Sequence, residues 1–145
     1  MKITSPAFED GKAIPAEYTC KGSDISPELN FEEVPEEAKS LALVMDDPDA
    51  PMGTWDHWVV FNIPATATKV AKGTEPEGVA GKNSWDKTGY GGPCPPSGTH
   101  RYYFKLYALD AELNLAQGAT KAELMKAMQG HIIAEARLMG TFSKD

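Results

Sequence analysis

Cysteine is scarce in this chain. Cys20 and Cys94 are the only two, far apart and without a CxxC spacing, so no zinc-site signature is present. Free thiols are the expected state of such a pair in a reducing compartment, with a Cys20–Cys94 disulfide as the lesser alternative. Long apolar runs are also missing. No stretch approaches the roughly 20 consecutive apolar residues of a membrane span, and the amino terminus "MKITSPAFED" has no apolar core of a secretory signal. Stable membrane insertion is therefore not expected, and a cytoplasmic location is. Positive charge is outweighed: 14 Lys and Arg against 21 Asp and Glu give a net charge of −7. This balance works against general attraction to nucleic acid or to an anionic membrane surface and leaves room only for a local basic pocket. No nucleic-acid partner is expected. Internal repeats, low-complexity tracts and linkers are absent, so the 145 residues read as a single domain, 1–145.

What the chain does have is turn formers and short apolar runs. Thirteen Gly and 11 Pro accompany a 41% hydrophobic content, a combination that favours a β-protein. A strand is expected near "KITSPAF", followed by a turn at "EDGK" and a loop, "GSDISPEL", ahead of "NF". "SLALVMD" is a continuous apolar run of strand length, which suits a strand covered on both faces. "HWVVFNIP" alternates, with His57, Val59, Phe61 and Ile63 on one face and Trp58, Val60 and Asn62 on the other. "HRYYFKLYALD" alternates more strongly, with His100, Tyr102, Phe104, Leu106 and Ala108 together, and Arg101, Tyr103, Lys105, Tyr107 and Leu109 opposite. Between these, the segment 65–98 is rich in Gly, Pro, Lys and Asn; a loop of that length is expected to fold over a functional site. "TKAELMKAMQG" is the one clear helix, with a Thr120/Glu123 capping box, an apolar Leu124/Met128 stripe and Gly130 at its end. The tail "IIAEARLMGTF" alternates Ile132, Ala134, Ala136, Leu138 and Phe142, and Gly130 as a stop favours a final strand over a helix. Strands outnumber helices without βαβ alternation, which predicts a mainly β fold: an antiparallel β-sandwich with a few short helices.

The polar points at the ends of apolar strands are Asp47, His57 and His100, and strand ends are where an all-β scaffold builds pockets. Asp47 lies in "DDPDAP", where two prolines stiffen the backbone around three carboxylates. Asp46 and Asp49 read as turn residues bonding local backbone N–H groups. Trp55 and Trp58 read as core or pocket wall, and Tyr102 as core at its ring with a hydroxyl seeking a partner. Three chemistries could use this set. A metal site fits poorly, because Asp47, His57 and His100 match no compact metal motif. A nucleophilic triad built on Ser84 or Ser97 lacks a GxSxG elbow. An anion site fits best: two imidazoles, the Tyr102 hydroxyl and backbone N–H groups of "GGPCPPSG" could hold a phosphoryl or carboxylate group, with Asp47 orienting or charging a histidine. No catalytic residue, cofactor or metal is expected.

"DPDAP", "WDHW" and "GGPCPPSGTHRYYF", together with "DISPEL" and "GHIIAEARLMGTF", resemble the phosphatidylethanolamine-binding protein family in its bacterial Raf-kinase-inhibitor-like (YbhB/YbcL-type) branch, over nearly the whole chain. The resemblance implies a β-sandwich with a larger central antiparallel sheet. It also implies a non-enzymatic binding or regulatory protein whose anion pocket is lined by Asp47, Pro51, Trp55, His57, His100 and Tyr102. Arg101 would support the structure, and Cys94, Pro95 and Pro96 would lie in the pocket-lining loop. Small phosphoryl or carboxylate anions, a kinase or protease partner and a homodimer are further implications. Two departures are expected: Asp56 stands where eukaryotic members often carry a second histidine before His57, and the closing C-terminal helix of animal members is missing.

Overall fold

The computed structural model describes all residues, Met1–Asp145. Eight strands and one α-helix follow in order: β1 (Lys2–Thr4), β2 (Leu29–Glu32), β3 (Ser40–Asp47), β4 (Trp55–Pro64), β5 (Lys69–Val70), β6 (Val79–Ala80), β7 (Thr99–Leu109), α1 (Lys121–Met128) and β8 (Ile132–Ser143). They form two sheets, β1-β2-β5 and β6-β4-β3-β7-β8, with every strand pair antiparallel. The fold is mainly β, and no helix is long and apolar enough to cross a membrane.

The apolar run of β3 places it at the centre of the larger sheet, buried at every position. Its alternate residues feed two cores. Leu41, Leu43 and Met45 join Trp58, Val60, Tyr102, Phe104 and Leu106, packing against Ile3, Leu29, Phe31 and Val70 of the smaller sheet. Ala42 and Val44 join Val59, Phe61, Tyr107 and Leu109 under Leu124 and Met128 of α1. Truncating a fully buried residue here, such as Leu43, removes about 2–5 kcal/mol. The helix starts as its sequence dictates: the Thr120 hydroxyl accepts from the Glu123 N–H, and Glu123 accepts in return from the Thr120 N–H. Gly130, at φ +79°, turns the chain from α1 into β8, the expected final strand.

Alternation along β4 breaks twice, and this corrects the expected faces. Asn62 adopts φ +53°, and its amide side chain bonds both the N–H and the carbonyl of Leu113. The register shifts there, so Ile63 joins Trp58 and Val60 in the inter-sheet core while Phe61 stays under the helix. A second shift, between Met45 and Asp46 on the partner strand, leaves His57 as the extra residue between Asp56 and Trp58. A bulge bends the strand and re-aims its side chain. His57 consequently sits against Tyr102 of the inter-sheet side rather than with Val59 and Phe61.

The cysteines overturn the free-thiol expectation. Cys20 and Cys94 form a disulfide across 74 positions, with no free cysteine left. It ties the loop after the short 3-10 turn Ala16–Tyr18 to the loop before β7, alongside a backbone bond from the Cys20 N–H to the Pro93 carbonyl. A crosslink spanning so long a loop restricts the unfolded chain strongly. Cys20→Ser/Cys94→Ser should therefore keep the fold while losing about 2–4 kcal/mol of stability. Urea unfolding of both forms checks this, and coincident curves would contradict it.

Candidate functional site

The six residues singled out in the sequence, Asp47, Pro51, Trp55, His57, His100 and Tyr102, line one cavity of about 310 Å³ at the end of the larger sheet. Three adjacent strands supply them: β3 brings Asp47, β4 brings Trp55 and His57, and β7 brings His100 and Tyr102. Pro51 comes from the turn after β3. The long loop supplies the remaining wall through Trp85, Cys94, Pro95 and Pro96. Sequence reading missed Trp85, which stands edge-on to Trp55 and to His57, with ring centroids at 5.5 and 5.0 Å. The available signal was a tryptophan inside an otherwise polar, glycine-rich loop. Gly91 is required beneath it, because a Cβ there would meet the indole ring at 2.3 Å.

Both imidazoles are held by their Nδ1 atoms. His57 Nδ1 lies 2.7 Å from the Gly91 carbonyl, which can only accept, so Nδ1 carries the proton. His100 Nδ1 lies 2.7 Å from Asp47 Oδ2, inside a pair that is almost wholly buried. In each ring Nε2 remains as the polar edge for the cavity. Asp47 uses its other oxygen, Oδ1, to accept from the Asp49 N–H at 2.7 Å. Asp47 therefore fixes the "DDPDAP" turn and orients His100 at once. It does not bond His57, so the carboxylate meets one histidine directly rather than two.

The neighbouring carboxylates depart from their expected turn roles. Asp46 points to the opposite face of the sheet, buried, where Lys105 and Lys121 approach Oδ2 at 3.0 and 3.2 Å. Asp49 bonds no local N–H. It takes the Arg101 guanidinium in a two-pronged grip and also accepts from the Arg101 backbone N–H at 2.9 Å. Hydrogen bonds from Arg101 hold the Asp49 carboxyl down at about 2. Arg101 thus clamps the turn onto β7 from outside the cavity, the supporting role expected of it.

No lysine or arginine lines the cavity. Burial pushes the His57 imidazole below its ordinary value, against opposing pulls from the Gly91 carbonyl and from Asp47. Burial first, then Asp47, pushes the Tyr102 phenol well up, so it stays protonated. Its hydroxyl is buried, with the Cys94 backbone and the Asp47 carboxylate beside it. A triad has less support: the Ser84 hydroxyl accepts from the Asp56 N–H at 2.8 Å, and Ser97 bonds neither histidine. No group of three or more His, Cys, Asp and Glu side chains is placed to hold a metal ion.

Comparison with known proteins places this geometry in a family. A family model described as phosphatidylethanolamine-binding protein matches residues 4–143. A UPF0098 protein of Methanothermobacter thermautotrophicus is 50% identical over 150 residues, covering 99% of both chains. One from Chlamydia trachomatis is 49% identical over the whole of both. Archaeal relatives thus stand beside bacterial ones, so the kinship is wider than the bacterial branch. Among solved structures, a phosphatidylethanolamine-binding protein homologue, CT736 of Chlamydia trachomatis, superposes with a TM-score of 0.96 at 48% identity, covering 99% of this chain and 97% of that one. Escherichia coli YbcL, described as a new member of the mammalian family, superposes at 0.91 with 32% identity, covering 98% and 97%. On this fold and these matches, the chain belongs to the phosphatidylethanolamine-binding protein family, a family of binding and regulatory proteins.

Proposed function

We propose that the cavity binds a phosphoryl-bearing anion, either a small phosphoester or a phosphorylated group on a partner, and that the protein acts by binding rather than by catalysis. The observation that carries this reading is the pair of imidazoles lining the cavity, each held through Nδ1 and keeping Nε2 for a further bond, beside the buried Tyr102 hydroxyl. A tetrahedral oxyanion offers several acceptors, and one protonated oxygen when monoanionic, which suits such a mixed set. The Trp55, Trp85 and proline side chains give those bonds a partly apolar surround, which strengthens them. Kinase or protease inhibition, implied by resemblance, would operate through such a phosphorylated partner. The disulfide bears on location: a cytoplasmic setting accords with it only where the interior tolerates protein disulfides, as in hyperthermophiles, and an oxidising compartment accords with it otherwise.

A second reading, hydrolysis, draws on the Asp47–His100 pair, which orients an imidazole as a general base is oriented. Phosphoester turnover lost in His100→Ala would support it over simple binding.

Titration with O-phosphoethanolamine, followed through histidine ring resonances, should give saturable shifts at His57 and His100. His131, paired with Asp110 on the surface, should stay still. Asp47→Asn should weaken binding about tenfold or more, because it removes a charge-assisted bond to His100. Unmoved His57 and His100 signals would sink the proposal.

Binding should also depend on pH in one direction. Burial keeps His57 neutral in the free pocket, and an anion favours its charged form, so a proton is taken up with the ligand unless the ligand brings it. Affinity then falls as pH rises, by up to about tenfold per unit for one proton. Calorimetry in buffers of different ionisation heat counts that proton; zero uptake together with a flat profile would contradict the account.

The clamp on the turn can be tested separately. In Arg101→Gln the Asp49 carboxyl should climb from about 2 back toward 3.8, read from its side-chain carbon shift.

A further inference from the structure

A second cavity, of about 290 Å³, adjoins the first and shares Trp85 and Cys94 with it as common wall. Two loops build it. Asn83 is buried and spends its side chain on its own turn: Oδ1 accepts from the Trp85 and Lys87 N–H groups, and Nδ2 donates to the Gly89 carbonyl. That pinned turn presents Trp85, 40% exposed, together with Lys87 and Thr88. The other loop brings Asp24 at φ +57°, a left-handed conformation that aspartate tolerates. Its Oδ1 accepts from the Gly92 N–H at 2.9 Å, and a Cβ on Gly92 would collide with that oxygen. The two cavities meet along this glycine pair, because His57 Nδ1 donates to the carbonyl of the preceding residue, Gly91. His57 Nδ1 and Asp24 Oδ1 are therefore two hydrogen bonds and one peptide link apart, about 8 Å at most.

We propose that this second cavity takes the hydroxyl-bearing ring of a ligand whose phosphoryl group occupies the first, so that the protein binds the phosphate ester of a sugar or another cyclic polyol. The inference rests on the reading of the first cavity as a phosphoryl site. Charge selects the class. Asp24 and Lys87 both line the second cavity, and neither is in an ion pair within the chain. An ammonium drawn to Asp24 meets Lys87, and a carboxylate drawn to Lys87 meets Asp24, so a group of either single charge gains from one and loses to the other. A hydroxyl both donates and accepts. Neighbouring hydroxyls can therefore satisfy the carboxylate, the ammonium and the Thr88 side chain together. The Trp85 indole offers the apolar surface against which the carbon skeleton of such a ring packs. Length agrees as well, because the phosphoryl group and the far hydroxyls of a hexose phosphate are separated by a distance of the same order as the span from His57 to Asp24.

The test compares methyl phosphate, which reaches only the first cavity, with glucose 6-phosphate, which reaches both. Each should shift the His57 and His100 ring signals of the full chain, and only glucose 6-phosphate should move the Lys87 and Thr88 amides. Glucose 6-phosphate should also bind about tenfold tighter or more, the gain expected of two or three added hydrogen bonds. Lys87→Met and Asp24→Asn should each remove most of that gain and leave the affinity for methyl phosphate unchanged. Lys87 is exposed, and asparagine keeps both the acceptor for Gly92 and the left-handed turn, so both variants are expected to fold. Glycerophosphoinositol, the head group of an inositol lipid, separates two sources of this chemistry. Its binding more tightly than glucose 6-phosphate would assign a lipid head group, and the reverse a free sugar phosphate; either supports the proposal. Equal affinity for methyl phosphate and glucose 6-phosphate, variants that bind glucose 6-phosphate as the wild type does, or O-phosphoserine matching glucose 6-phosphate would overturn it while the phosphoryl site stands. Histidine rings unmoved by every ligand would remove that site itself, and this proposal with it.

Discussion

Two consecutive carboxylates, Asp46 and Asp47, are buried at the end of a strand that is itself buried on both faces. The pleat sends one to each side of the sheet, and a buried carboxylate is costly unless paired. Much of the molecule answers that demand. On one side Lys105 of β7 and Lys121 of α1 converge on Asp46, which anchors the helix over the sheet. Lys121 also reaches Asp56 at 2.9 Å. On the other side His100 and the Asp49 backbone share Asp47. The cavity is built around that second answer, so the geometry of the site and the seating of the helix stem from one dipeptide.

Preorganisation follows from how few parts of the site are free to move. His100 is fixed by Asp47, Asp47 by its own turn, and the turn by Arg101 and two prolines. His57 is fixed by Gly91 and flanked edge-on by Trp85 and Tyr102. A pocket held in this way spends little of its binding energy on ordering side chains. It also lacks any permanent positive charge, since no lysine or arginine lines it.

How much of this was legible in the sequence depended on whether a feature was local. The double-sided burial of β3, the alternation of β7 and the capping box of α1 each follow from a few adjacent residues, and each appears as read. The faces of β4 did not, because its shifts depend on partners such as Leu113, some 50 positions away, that periodicity cannot see. Asp49 looked like a turn residue because its nearest neighbours are turn formers, while its actual partner, Arg101, arrives from another strand. The six cavity residues were read from their places at strand ends and from family resemblance. Trp85 and Gly91 escaped because their positions depend on how a long loop closes. The disulfide was only the lesser reading because thiol oxidation is a property of compartment and three-dimensional proximity, neither of which sequence spacing encodes.

That disulfide also changes what a cut in the backbone means. Residues 20–94 form a covalent ring that carries β2, β3, β4, β5 and β6 and the cavity loop as far as Cys94. A protease that severs one peptide bond inside the ring opens a loop without releasing a fragment. The same cut in the tails beyond it leaves two pieces with no covalent link. The long glycine- and proline-rich loop can therefore be nicked without loss of mass until a thiol reductant is added, at which point the two halves are held only by the sheet they share.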